Sequence, residues 1–302
     1  MHKEWQGHPG RILDSKNGFD VIECEECHFK HIIPIPIEDE LKPIYEVEYY
    51  TDEKPLYIER MNEDLEWWNM TYDDRYDSFE EHLDKDRRTI LDIGSGPGIF
   101  LKRGQERGWN VTGIEPSMQA FEYSSQTLGL TIHNCFLNDE TKLNLESYDV
   151  IHMSEVLEHI PDPAGLLRIA YEKLISGGLI CVVVPNDYNP FQYSLSEACG
   201  YDPWWVAPPH HINYFNFNTL STLLQKIGFQ VVMKEATFPI DMFLLMGQNY
   251  IDDDSLGREC HHMRKTFELN LAKAKQNGTK RNLYRSLAKV GIGREILFIG
   301  KK

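Results

Sequence analysis

The stretch Asp92-Ile-Gly-Ser-Gly-Pro-Gly98, directly behind the apolar run Thr89-Ile-Leu91, constrains the fold of this chain more than any other. It reads as strand, tight turn and helix. Glycine at 94, 96 and 98 lets the backbone bend sharply and approach a bound group that a Cβ would hold off. Pro97 suits the first turn of the following helix, Phe100 and Leu101 supply its apolar side, and Gly108 supplies its stop. The unit predicts a nucleotide-type pocket.

A dinucleotide site requires Gly-x-Gly-x-x-Gly, and here the third glycine falls one place early. Asn110-Val-Thr-Gly-Ile-Glu115-Pro116 then reads as a second strand ending on a carboxylate, where both oxygens can accept from the hydroxyls of a ribose. An acidic residue opening Gly-x-Gly-x-Gly, with Glu115 downstream, resembles motif I of the class I S-adenosylmethionine-dependent methyltransferases. The resemblance covers most of the chain after about residue 88. Tyr148 to Pro163 is similar to the fourth strand and following turn of that family, and Ser176 to Asn186 to its fifth strand. Phe229 to Glu235 and Arg294 to Ile299 fit the sixth and seventh.

This resemblance implies an α/β fold, a Rossmann-like seven-stranded, mostly parallel sheet with helices on both faces. It implies S-adenosylmethionine as methyl donor, with Asp92, Gly94, Ser95, Gly96, Gly98, Glu115, Pro116, Met153, Ser154 and Glu155 around it. The acceptor it implies is a small molecule, methylated on oxygen or carbon. A protein or RNA methyltransferase and a non-catalytic zinc-containing scaffold are the rival readings. Composition narrows them. The chain has 302 residues, 41% of them hydrophobic, enough for one α/β core with smaller appendages. The formal net charge of −16 disfavours nonspecific binding to nucleic acid. No run is apolar enough to span a membrane and the start, Met1-His-Lys-Glu-Trp, has no signal-peptide core, so a cytoplasmic protein is expected. Nothing in the sequence fixes an oligomeric state.

Of six cysteines, only Cys24 and Cys27 form a close pair. Their knuckle spacing lets two thiolates reach one metal, and the others read as reduced, mostly buried thiols. His8 and His31 complete a two-thiolate, two-imidazole set suited to a structural zinc, with His2 and His28 as alternatives. Some sugar C-methyltransferases of the same superfamily carry an amino-terminal zinc module with two cysteine pairs, and this chain has one.

The expected organisation is a zinc-ribbon-like module over 1–45, a helical cap over 46–87, a methyltransferase core over 88–237, a helical insertion over 238–289 and a last core strand over 290–302. Trp68, Tyr72, Tyr76 and Phe79 recur at helical spacing in the cap and read as core. Within the core, 185–217 is the expected acceptor loop, rich in proline, aromatics and histidine. Asn218 is the expected cap of the helix that follows. His159, His210 and His211 are the candidate catalytic bases, because imidazole titrates near neutral pH, whereas His152 reads as core. Glu155-x-x-Glu158-His159 would present two carboxylates and an imidazole on one helical face, a pattern that also occurs in ubiquinone-biosynthesis O-methyltransferases. Arg258, Arg264, Lys265, Lys273 and Lys275 read as a solvated helix face in the insertion.

Overall fold

The computed structural model describes residues 1–302, the side chains of Asp52 and Glu53 apart. The chain opens with an antiparallel meander, β1 (His2–Trp5), β2 (His8–Lys16), β3 (Phe19–Cys24) and β4 (Lys30–Ile33). Next come α1 (Glu38–Pro43), wide π-helical turns over Ile44–Glu53, α2 (Tyr57–Glu63) and α3 (Leu65–His82). The main sheet then begins with β5 (Thr89–Ile93), α4 (Ile99–Glu106), β6 (Asn110–Ile114), α5 (Met118–Glu122) and β7 (Ile132–His133). It continues through β8 (Tyr148–Ser154), α6 (Pro163–Lys173), β9 (Leu174–Pro185), α7 (Pro190–Cys199), β10 (Asn213–Tyr214) and α8 (Phe217–Ile227). The chain ends with β11 (Gln230–Ala236), α9 (Asp241–Leu245), α10 (Asp254–Lys273), α11 (Asn277–Lys289) and β12 (Glu295–Lys301).

Seven strands form the main sheet in the order β11-β12-β9-β8-β5-β6-β7. All pairs are parallel except those of β12, which runs antiparallel to both β9 and β11. Successive residues of a strand point to opposite faces, so each central strand feeds two cores. Leu91, Ile151, Ile180 and Val182 pack with α6 and α8 on one face, and Ile90, Val150, Leu179 and Cys181 with α3 and α4 on the other. That double burial is why β8 and β9 read as near-continuous apolar runs.

The second sheet, β1-β2-β3-β4-β10, joins residues far apart in sequence. Its fifth strand comes from the connection after β9: Asn213 pairs with His31 and Tyr214 with Lys30. The acceptor-loop segment is therefore stitched to the amino-terminal ribbon.

Several local expectations are corrected. Helix α8 is capped by Asn216, whose side chain accepts from the amides of Asn218 and Thr219, both at 3.0 Å. Pro97 lies in the turn, because Gly98 in left-handed conformation caps a helix that starts at Ile99. Glu155, Glu158 and His159 do not share a helical face: Glu155 has φ +57 and only Leu157–His159 forms a single 3₁₀ turn. Left-handed backbone at 155 breaks the helical spacing of the three, although Glu155 still acts electrostatically on Glu158. In the insertion, Arg258, Lys273 and Lys275 face solvent, whereas Lys265 pairs with Asp64 and Arg264 lies 4.5 Å over the Trp67 ring. No helix among the described residues is long and apolar enough to cross a membrane.

Candidate functional site

The turn between β5 and α4 opens onto a cavity of about 500 Å³. Gly94, Gly96 and Gly98 all have positive φ, at +69, +53 and +79. A Cβ on Gly94 would sit 2.7 Å from Val156 Cγ2, and one on Gly98 2.7 Å from Leu130 Cδ1, so both conformation and space demand glycine. Amides of Gly94 and Ser95 donate to the Ile114 carbonyl at 2.8 and 3.0 Å, tying the turn to the end of β6. One residue on, Glu115 accepts from the Gly96 amide at 2.7 Å and the Ser117 amide at 2.9 Å. It is 4% exposed, and burial pushes its carboxyl up to about 7 against the pull of those two amides.

Beside the turn, three buried polar side chains form a chain. Arg75 donates to His152 Nε2 at 3.1 Å, which leaves the imidazole proton on Nδ1 to be donated to Asp92 at 2.7 Å. The His152 ring stacks on Phe100 with 4.0 Å between centroids, and burial lowers its basicity. Asp92 is thereby held by an imidazole rather than left open. The Arg75 guanidinium lines the same cavity, and its Nε is buried without a protein partner among the described residues. Sequence reading missed Arg75, although it stands three residues after Tyr72 on the aromatic stripe of α3, where a charge has no place in a pure core face. It also missed the roof of the cavity: Tyr49, Tyr50 and Tyr57 pack edge-on against one another.

The cavity ends at a second group of side chains. His159, His210 and His211 line it together with Ser154 and Glu155. His159 Nδ1 donates to the His210 carbonyl at 2.7 Å, which also accepts from the Tyr45 hydroxyl at 3.2 Å. The unprotonated Nε2 of His159 then faces Glu158 Oε1 at 3.7 Å. Ligand-type atoms of Glu158, His159 and His211 lie within 4.8 Å of one another. Both Glu158 oxygens and His211 Nδ1 are buried with no hydrogen-bond partner among the described residues. Burial drives Glu158 well above the usual carboxylate range and holds His159 down to about 4, so both favour their neutral forms. Glu155, enclosed in the cavity near Glu295, is raised to about 8.

Of the residues singled out from sequence, Asp92, Gly94, Ser95, Gly96, Glu115, Pro116, Ser154, Glu155, His159, His210 and His211 line one cavity. Gly98 does not, since it packs against Leu130 and Ser124 behind the turn. Neither does Met153, which is fully buried in the core beside Ile93 and Val182, because alternation along β8 turns it away from the site.

A separate cluster gathers His8, Cys24, Cys27 and His31, with ligand atoms within 4.8 Å of one another. His8 Nδ1 lies 3.7 Å from Cys24 Sγ and 3.3 Å from Cys27 Sγ. His31 is 0% exposed; its Nδ1 donates to the Ile32 carbonyl at 2.9 Å and its Nε2 has no hydrogen-bond partner among the described residues. One nitrogen fixed by a carbonyl and the other unpaired, in a ring clustered with two thiols, is an arrangement suited to a metal-ligating histidine. His2 instead contacts Glu25 on the surface, and His28 occupies the left-handed position of the knuckle turn.

The main sheet, with β12 as its single antiparallel strand and its glycine turn facing Glu115, defines an S-adenosylmethionine-dependent methyltransferase fold. A profile described as a methyltransferase domain matches residues 62–234, over half of the chain, and the chain belongs to that family. Curated relatives include a ubiquinone biosynthesis O-methyltransferase of Hydrogenovibrio crunogenus, 30% identical over 119 residues, 37% of this chain and 49% of the relative. Its counterpart in Aeromonas salmonicida is 32% identical over 113 residues, 36% of this chain and 47% of the relative. The chain thus spans about half the length of the curated relatives it matches. Solved structures share the fold. A methyltransferase complexed with the Trm112 activator of Haloferax volcanii superposes with TM-score 0.52 at 16% identity, over 84% of this chain and 96% of that one. The plantazolicin methyltransferase BamL, solved with a substrate analogue and S-adenosylhomocysteine, gives 0.52 at 15% identity, over 88% and 97%.

Proposed function

We propose that this protein transfers the methyl group of S-adenosylmethionine to an oxygen or acidic carbon of a small molecule. The observation that carries the reading is one continuous cavity running from the glycine turn and Glu115 to a cluster of histidines. Glu115 would accept from the ribose hydroxyls, and Arg75, with an unsatisfied buried guanidinium nitrogen, would take the carboxylate of the methionine tail. The acceptor atom attacks the methyl carbon, the carbon–sulfur bond breaks, and sulfur keeps the electron pair, leaving S-adenosylhomocysteine. The sulfonium supplies the activation, so the chain contributes mainly alignment and removal of the acceptor's proton. His159 Nε2 is the base the geometry favours: its other nitrogen is locked on the His210 carbonyl, which fixes the ring and leaves Nε2 to accept a proton at the cavity wall. His210 and His211 complete that wall. A small-molecule acceptor agrees with what the names of the curated relatives say of those proteins. A cytoplasmic setting is supported by the six cysteines, all of them free thiols.

We further read His8, Cys24, Cys27 and His31 as ligands of a structural zinc, since two thiols and two imidazoles at these separations suit tetrahedral coordination with no open position. The decisive experiment for the catalytic reading incubates the purified protein and methyl-labelled S-adenosylmethionine with a cell metabolite extract. Label entering an extract compound supports transfer, and its mass identifies the acceptor. No incorporation by protein that binds S-adenosylhomocysteine would overturn it.

A further inference from the structure

The zinc cluster and the histidine wall are one residue pair apart. His31 stands on β4 directly opposite Asn213 of β10, and the Ile32 amide donates to the Ile212 carbonyl at 2.9 Å. Just ahead of that short strand, the Ile212 amide donates to the Glu158 carbonyl at 2.7 Å. Asn213 is 2% exposed, and its Nδ2 donates to the carbonyls of Leu157 at 2.9 Å and Ile160 at 2.7 Å, bracketing the turn that carries Glu158 and His159. The His159 ring returns to the His210 carbonyl, which closes the loop of contacts. Two further ties bind this segment to the ribbon: Lys16 donates to the Val206 carbonyl at 2.7 Å, and Tyr188 to Asp14 at 2.6 Å.

The ribbon has little core of its own. Beneath one face Ile22, Cys24 and Ile33 form a small cluster; beneath the other Val21 and Ile32 pack with Trp205, Val206, Ile212 and Tyr214, residues of the acceptor loop. In a module with such small clusters a structural metal contributes folding energy directly. The glycine turn and Glu115 are held instead by β5 and β6 of the main sheet, through the Gly94 and Ser95 amides on the Ile114 carbonyl.

We propose that the metal centre, acting through β4 and Asn213, is a positioning site for the acceptor side of the cavity: it sets the orientation of His159 and the loop bearing His210 and His211, and leaves the cofactor side independent. Asn213 is the positioning residue. The inference rests on the zinc reading above, and the test separates the two by measuring metal content first.

The experiment uses full-length protein in three forms: as purified, after zinc removal by a chelator, and as Asn213→Ala with its metal retained. Each is assayed for zinc content, for affinity for S-adenosylhomocysteine by calorimetry, for chymotryptic cleavage in 201–212, and for the imidazole NMR resonances of His159 and His152. The expected result is an affinity changed by less than about twofold in all three, with faster cleavage and a displaced His159 resonance in the chelated and Asn213→Ala forms while His152 stays in place. Labelled methyl transfer into the extract should fall about tenfold or more, the usual scale for losing an outer-shell support. An unmoved His159 resonance and an intact loop after zinc loss would overturn the coupling. So would cofactor affinity falling in step with loop protection, which marks general loss of structure. Purified protein that neither contains nor takes up zinc would overturn the metal reading itself.

Discussion

Glu115 makes the affinity for cofactor depend on pH in a direction the structure fixes. In the free protein its carboxyl is pushed up to about 7, first by burial, then by the nearby Asp92, and against the two amides that hold it. Ribose hydroxyls donate to a carboxylate better than to a carboxylic acid, so binding favours the ionised form and releases a proton below neutrality. About a tenth of the sites are ionised at pH 6 and about nine-tenths at pH 8, so affinity should tighten about tenfold over that interval, or about 1.4 kcal/mol. Stability of the free fold runs the other way. The folded value lies above the ordinary 4.5, so this group's contribution is fully present below about 4.5 and is lost as pH rises through about 7. Isothermal calorimetry with S-adenosylhomocysteine in buffers of differing ionisation enthalpy reads both the affinity and the proton released. Glu115→Gln cannot serve both amides, because its single oxygen satisfies one and its NH₂ confronts the other. That variant should bind about 100-fold more weakly at pH 8, by about 3 kcal/mol, and lose the pH slope. An affinity that stays flat from pH 6 to 8, or a slope that survives in Glu115→Gln, would refute the reasoning.

Arg75→Gln should weaken S-adenosylhomocysteine by about 10-fold to 100-fold yet barely affect 5′-methylthioadenosine, which lacks the amino-acid tail; equal loss for both ligands would remove Arg75 from that role. Gly98→Ala must adopt φ +79 and place its Cβ 2.7 Å from Leu130 and 2.9 Å from Ser124. It should cost about 2–5 kcal/mol in urea unfolding, a conformational part of about 1–2 plus overpacking of about 1–3. Gly108→Ala shares the positive φ, +85, but meets nothing within 4 Å, so only the conformational part should appear; equal losses at the two positions would show that the crowding behind the turn is relaxed at no cost.

What was legible in the sequence is what local chemistry enforces. Alternate glycines at 94, 96 and 98 announced their backbone, and the apolar runs of β8 and β9 announced strands covered on both faces. The Cys24 and Cys27 spacing likewise pointed to two thiols on one turn. What escaped depends on distant contacts. The pairing of β10 with β4 joins two residues at the end of a proline-rich loop to a ribbon about 180 positions earlier, and two residues carry no period. The turn at 155–159 looked helical because Glu155, Glu158 and His159 have helical spacing, yet the Glu155 amide is drawn to the Val183 carbonyl on the neighbouring strand at 2.9 Å. Tertiary hydrogen bonding outweighed the local pattern there. Arg75 was hidden in plain view on an aromatic stripe, where its charge made sense only once a cavity stood beside it.

The five-stranded sheet has a consequence for anyone re-engineering what this enzyme fold accepts. A loop that ends as a strand in another part of the chain is not an exchangeable cassette. Its tryptophans and Ile212 form half of the ribbon's interior, and the ribbon's Ile32 forms the other half. Grafting 185–217 from a related protein would set a foreign edge against β4 and leave both partners half built. The unit of transplantation is the amino-terminal ribbon together with that loop, two segments that selection for a new acceptor must change as one.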